Sequence, residues 1–302
     1  MLIQETHKDV ATKADGKDGS MRIFLFHPSI PNYPNARFPG VVCFSEIYQV
    51  TGPVARFARQ IAGQGYIVAA PSSYHEFTGP EALAYDGPGT DAGNEYKVKK
   101  GTVLLFQLNY YSLTPLPLPL LSSTPTNAIQ TLAGYDEDSA LAISTLLSLK
   151  TCTGRIGSTG MCLGGHLAYR CALDPRISAA VTYFATDLHS ATLGLGKKDD
   201  SLARASEMKA ELAMIHGTLD NHVPAEGRDV IRKTLREKGV IFSWYEVAGA
   251  QHAFIRDELS KNRYDPAITK ICFEILLELF GRTLKLDLGA HDGVEQKIED
   301  IC

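Results

Sequence analysis

Residues 155–169 read RIGSTGMCLGGHLAY, and the order of residue types in that stretch decides the fold. Residues 155–161 suit a strand and residues 163–173 a helix, with Gly160-Met161-Cys162-Leu163-Gly164 at the turn between them. This is the strand–turn–helix pattern G-x-S-x-G with cysteine in place of serine. Small residues two before and two after the central position are needed because the turn is tight; larger side chains would strike the neighbouring strand and helix. Such a turn lifts Cys162 above the sheet edge and places it at a helix N-terminus, where peptide dipoles favour a thiolate. The Leu163 backbone N–H then becomes one donor for an oxyanion. A buried structural cysteine in a glycine-rich turn is the plain alternative. A dinucleotide-binding loop does not fit, because the glycines are not spaced G-x-G-x-x-G.

Outward from this turn, short apolar runs alternate with stretches of helical period. Strands are expected at 22–27, 40–45, 66–70, 177–184, 212–216 and 241–247. Helices are expected at 54–64, 135–149, 225–238 and 267–284. Acidic residues Asp136, Glu137 and Asp138 open the second of these helices, as the positive end of its dipole prefers. The alternation predicts an α/β fold with a mostly parallel central sheet and helices on both faces. Residues 76–131 break the rhythm with GPGTDAGNEYK and TPLPLPLLSSTP. Alternating prolines favour extended backbone, so this stretch reads as an insertion over the sheet's carboxyl edge, either a lid or a segment without a role. A single domain is expected over 1–284, followed by a polar tail at 285–302.

Two further strand ends carry the residue types a nucleophile needs. Gly217-Thr218-Leu219-Asp220 follows the strand at 212–216 and precedes a helix, and Gly249-Ala250-Gln251-His252 follows the strand at 241–247. Each alone is commonplace: an aspartate here can cap a turn, and a loop histidine can be structural. The order nucleophile, acid, histidine, each after a strand, is the α/β-hydrolase order. In that geometry His252 accepts or relays the thiol proton, and Asp220 fixes the imidazole tautomer and stabilises its charged form. Glu46 ends the strand before the first crossover helix, beside the Ile47 N–H that would complete an oxyanion hole. A carboxylate there would repel developing negative charge unless it takes a proton or turns away; a capping or surface glutamate is the simpler alternative.

Composition narrows the function further. The chain has 302 residues, 44% hydrophobic and 21% charged, with a net charge of -4. It carries no basic run of the kind that binds nucleic acid. No stretch approaches the length of a membrane span, and the first twenty residues lack the apolar core of a secretory leader. Six cysteines without a CxxC pair read as free thiols in a reducing cytosol, so a cytoplasmic location is expected. Asp187, His189, His216 and His222 show no zinc-ligand spacing, so no metal is expected. No phosphate-binding loop or cofactor signature is present, so no cofactor is expected either. Asp187 and His189 follow a strand end and are candidates to line a pocket, as is His75.

The elbow GMCLGG at 160–165, the segment SEIY at 45–48 and the segment HAFIR at 252–256 together resemble the dienelactone hydrolase (carboxymethylenebutenolidase) family, from Phe38 to Leu284 apart from the insertion. The resemblance implies an α/β-hydrolase fold with Cys162 as nucleophile, Asp220 and His252 completing the triad, and Glu46 taking the thiol's proton when substrate binds. It implies that the lactone carbonyl is attacked, the ring opens to an acyl-enzyme, and water releases the product. Arg256 matches the family's arginine for a substrate carboxylate, a task that suits its two-pronged guanidinium; a surface ion pair with Asp257 or Glu258 is the alternative. Two positions depart from the pattern. Ala253 stands where serine is frequent, and the family's second carboxylate-binding arginine has no counterpart. Lys97 either supplies that cation or is a solvated surface lysine. The expected substrate is therefore a small ester or lactone, dienelactone-like and anionic. Two other readings remain: a binding or regulatory module on the same scaffold, and a thiol redox sensor pairing Cys162 with Cys152 or Cys171.

Overall fold

A computed structural model of the chain describes residues 1–13, 18–100, 102–103, 129–130, 132–194 and 199–286. The strands in chain order are β1 Leu2–Thr12, β2 Gly19–Ser29, β3 Phe38–Phe44, β4 Ile67–Pro71, β5 Thr102–Val103, β6 Ile129–Gln130, β7 Cys152–Met161, β8 Ile177–Tyr183, β9 Glu211–Gly217 and β10 Phe242–Val247. The helices are α1 Gly52–Gly63, α2 Gly87–Lys99, α3 Ala133–Ser148, α4 Leu163–Cys171, α5 Ala225–Glu237 and α6 Pro266–Phe280. Eight strands form one sheet in the order β1-β2-β4-β3-β7-β8-β9-β10. The β1–β2 and β2–β4 pairs are antiparallel, and β4, β3, β7, β8, β9 and β10 run parallel.

The apolar runs at the centre of the sheet are strands covered on both faces. Successive residues of β3 divide between two cores: Val42 and Phe44 pack with α3 and α4, Val41 and Cys43 with α1 and α6. The same two-residue period splits Leu212 and Met214 from Ala213 and Ile215 on β9. A strand buried on both sides needs no polar alternation, which is why GVVCF is continuous.

Two elements differ from expectation. The β1–β2 hairpin extends the sheet beyond 22–27; β1 is exposed along most of its length, so it carries no apolar period to be read. Within 76–131, residues 87–99 form helix α2. Its composition is poor for a helix, yet Asp86 accepts a hydrogen bond from the Gly89 N–H at 2.8 Å, and Pro88 lies in the first turn, where proline is tolerated. α2 lies against the loop after β3: a Cβ on Gly93 would stand 2.4 Å from the Ile47 carbonyl oxygen. The proline-rich run and most of the tail at 285–302 fall outside the described residues. Among the described residues no helix is long and apolar enough to cross a membrane.

Candidate active site

The carboxyl ends of the parallel strands gather the expected residues at one rim, as open α/β sheets do. Cys162 sits between β7 and α4 with φ 59° and ψ -121°, a backbone state that costs a non-glycine residue about 1–3 kcal/mol. The turn is held by close backbone approach. A Cβ on Gly160 would lie 2.2 Å from the Gly164 carbonyl oxygen, and one on Gly164 would lie 2.3 Å from that of Phe44. The Cys162 N–H donates to Tyr183 O at 3.1 Å, and the Cys162 carbonyl accepts from the N–H groups of Gly165, His166 and Thr186. The sulfur is thereby fixed, half-exposed, at the start of α4. The Leu163 N–H, in the first turn of α4, has no carbonyl of a preceding turn to bond.

His252 lies in the loop after β10, within hydrogen-bonding reach of the Cys162 sulfur. Its Nδ1 is 2.9 Å from Asp220 Oδ2, in the loop after β9. The other oxygen of Asp220 accepts the His222 N–H at 2.8 Å, and the Phe184 ring stands edge-on to the imidazole at 5.0 Å. Burial alone would push the His252 pKa down; Cys162 and Asp220 outweigh it and raise it to about 10. Burial would raise the Asp220 pKa, but the hydrogen bond and charge of His252 hold it below the usual value. Asp220 and His252 therefore favour charge separation, a carboxylate beside an imidazolium, next to the Cys162 sulfur.

Glu46 is buried in the loop after β3 and does not stand alone. Tyr85 Oη donates to its Oε2 at 2.8 Å, and Arg256 Nη1 is 3.6 Å from its Oε1. The Arg256 guanidinium lies over the Tyr85 ring, 4.4 Å from its centre. Asp257 and Glu258, the alternative partners of Arg256, pair instead with Arg56. Lys97, from α2, bonds Asp187 at 3.1 Å and is neither free nor fully solvated. Burial would raise the Asp187 pKa, yet Lys97 overrides it and keeps it low.

A cavity of about 580 Å³ opens onto these groups, lined by Glu46, Ile47, Cys162, Asp187, His252 and Arg256 among others. Lys97 is also on its wall, as is His222, whose ring lies 4.2 Å from that of His252. His189, expected in the pocket, is not on the wall; its ring packs where a Cβ on Gly227 of α5 would be. His216 is buried in β9 and stacked on Trp244, with its pKa pushed down to about 4 by burial. His75, a further pocket candidate, bonds Asp138 at 2.9 Å instead. The groups not foreseen are Tyr85, His222, Lys261 and Arg263. Tyr85 lies in a stretch without motif, and the two cations lie in the loop between His252 and α6. That loop's position after a strand end was the one available signal.

The redox pairings meet a geometric obstacle. Cys152 begins β7 and Cys162 follows its end, a separation of roughly 30 Å along an extended strand. Cys171 ends α4, about 13 Å down the helix. A disulfide needs Cα atoms within about 7 Å.

The sheet order, the cysteine elbow and the acid and histidine loops define an α/β hydrolase. Residues 122–284 match the family model described as "Dienelactone hydrolase family". The chain is 49% identical over 306 residues, covering all of both proteins, to a Saccharomyces cerevisiae protein named "Putative carboxymethylenebutenolidase". It is 24% identical to the carboxymethylenebutenolidase of Pseudomonas sp. strain P51, over 89% of this chain and 93% of the relative. In fold it is similar to the crystal structure named "Putative Dienelactone Hydrolase" from Klebsiella pneumoniae, with a TM-score of 0.63 at 18% identity, covering 92% of this chain and 99% of the other. The chain belongs to the dienelactone hydrolase family and is an enzyme of that family.

Proposed function

We propose that this enzyme opens a small ester or lactone, dienelactone-like and anionic, through a covalent intermediate on Cys162. The observation that carries the reading is the line of contacts from the Cys162 sulfur through the His252 imidazole to Asp220, with the cysteine on a strained turn facing a cavity. The thiolate attacks the ester carbonyl carbon, and the carbonyl electron pair moves onto oxygen. The N–H groups of Leu163 and Ile47 stabilise that oxyanion. The carbon–oxygen bond to the alcohol part then breaks, leaving a thioester, and the departing oxygen takes a proton from His252. A water molecule gives its proton to His252 and attacks the thioester, releasing the carboxylate and restoring the thiolate.

Glu46 has a conditional part in this scheme. Tyr85 and Arg256 hold it in the resting geometry. A substrate carboxylate that takes Arg256 in a two-pronged bond frees Glu46 to accept the thiol proton, which forms the attacking thiolate, and Glu46 returns that proton to the sulfur when the product leaves. No metal or cofactor enters any step.

Hydrolysis of p-nitrophenyl acetate and of dienelactone by wild type and Cys162→Ala tests the reading. The variant is expected to lose all measurable turnover while melting near the wild-type temperature. Turnover retained in the variant overturns covalent catalysis, and a folded wild type without turnover favours a binding module.

A further inference from the structure

Besides His252, the cavity wall carries four lysine and arginine side chains, Lys97, Arg256, Lys261 and Arg263. Two are engaged inside the protein: Lys97 by Asp187, Arg256 by Glu46. Lys261 and Arg263 make no side-chain ion pair or hydrogen bond among the described residues. The wall carboxylates outside those pairs are Asp86, which caps α2, and Asp91 of that helix. Four wall cations thus stand against four wall carboxylates, and what the pocket offers an incoming anion is two cationic side chains without a direct partner among the described residues.

The backbone beneath these cations is specialised. Leu259, Lys261 and Asn262 have φ of 47°, 53° and 61°, values that non-glycine residues adopt at a cost and only where surrounding structure imposes them. The loop is held at both ends. Arg256 Nη2 donates to the Leu259 carbonyl at 3.1 Å, and Asp265 accepts from the Ile268 N–H at 3.0 Å to cap α6. The arginine that meets Glu46 thus also braces the loop that carries the two cations. Lys261 is exposed and Arg263 half-buried, so a ligand can reach both from the open side.

We propose that Lys261 and Arg263 form an outer anion subsite, selecting esters or lactones with a carboxylate or phosphate several bonds from the scissile carbonyl. The assignment rests on the cysteine-hydrolase reading and adds a substrate class to it. The guanidinium gives a planar pair of donors for an oxyanion, and the ammonium adds a movable charge beside it. The cavity of about 580 Å³ leaves room past the sulfur for a chain longer than a compact lactone.

Two esters of equal length, 4-nitrophenyl hexanoate and the 4-nitrophenyl half-ester of adipate, test the subsite on the full chain. Wild type is expected to prefer the charged ester. The Lys261→Ala/Arg263→Ala double variant is expected to lose that preference roughly ten- to a hundredfold, through KM rather than kcat. Lys261→Glu/Arg263→Glu is expected to reverse it. A structural defect would slow both esters together and leave their ratio unchanged. A wild type without preference, or a preference that survives the double variant, overturns the subsite. If wild type cleaves neither ester, the hydrolase reading fails on its own. The subsite is then decided by calorimetric titration with adipate and with inorganic phosphate. Binding of either that disappears in the double variant upholds it and identifies the anion; no binding, or equal binding by both proteins, overturns it.

Discussion

Two clusters in this molecule are built from nearly the same side chains. Past the end of β4, His75, Glu76, Asp138 and Lys100 meet; past the ends of β7, β9 and β10, Cys162, Asp220 and His252 meet. In the first, the fully buried Lys100 ammonium bonds Glu76, lies 2.9 Å from Asp138 Oδ2 and stands 3.3 Å from His75 Nε2. Burial would lower the Lys100 pKa, but the two carboxylates raise it, so its charge is retained. His75, Glu76 and Asp138 have the ligand types and spacing of a cation site, and the protein's own ammonium occupies that place. In the second cluster the carboxylate and imidazole are buried while the sulfur remains half-exposed on a cavity. The difference lies in what is left open. A closed set of charges holds structure; a set whose sulfur faces space for a substrate is the one the proposed chemistry uses.

Breaking each cluster should therefore fail in a different currency. Asp220→Asn removes the charge that helps raise the His252 pKa and disturbs the tautomer. The loss of kcat/KM is expected to be roughly a hundred- to ten-thousandfold, with the alkaline limb of the pH–rate profile moved to lower pH. The sign follows from the raised pKa of about 10: His252 stays protonated up to that region, and losing a carboxylate neighbour lowers the point at which it gives up its proton. Steady-state rates from pH 5 to 11 check both parts, and an unmoved limb contradicts the pairing.

Lys100→Met strikes the other cluster and should cost stability. The buried Asp138 and the partly exposed Glu76 lose their cation, a change worth about 3–5 kcal/mol. Urea unfolding of the variant measures it; a variant as stable as wild type would mean the quartet is not the closed charge set described.

The same contrast explains what the sequence made legible. The elbow could be read because a sharp turn, two small residues and a nucleophile must coincide within five positions. Asp220 could be read because it follows β9, a strand apolar on both faces, and His252 because it follows the next strand in order, β10. The closed quartet could not be read: His75 and Glu76 lie some sixty residues from Asp138 and carry no shared pattern. Tyr85 and helix α2 were hidden for a related reason. The glycines and asparagine of α2 give no helical period, and its existence depends on the Asp86 cap and its packing over Ile47. Arg256 reads as a cation for a substrate carboxylate on the strength of a local motif, whereas its partnership with Glu46, more than two hundred residues away, belongs to the folded state alone. His189 illustrates the converse, a residue at the right strand end whose side chain packs against α5 and not into the cavity.

The central claim is that a covalent bond forms at Cys162. Acid quenching during turnover of p-nitrophenyl acetate, followed by intact mass and peptide mapping, tests it most directly. The account predicts one acetyl group on the peptide that carries Cys162, appearing before steady state and chased away by time. Turnover without any adduct, or an adduct on another residue, contradicts it.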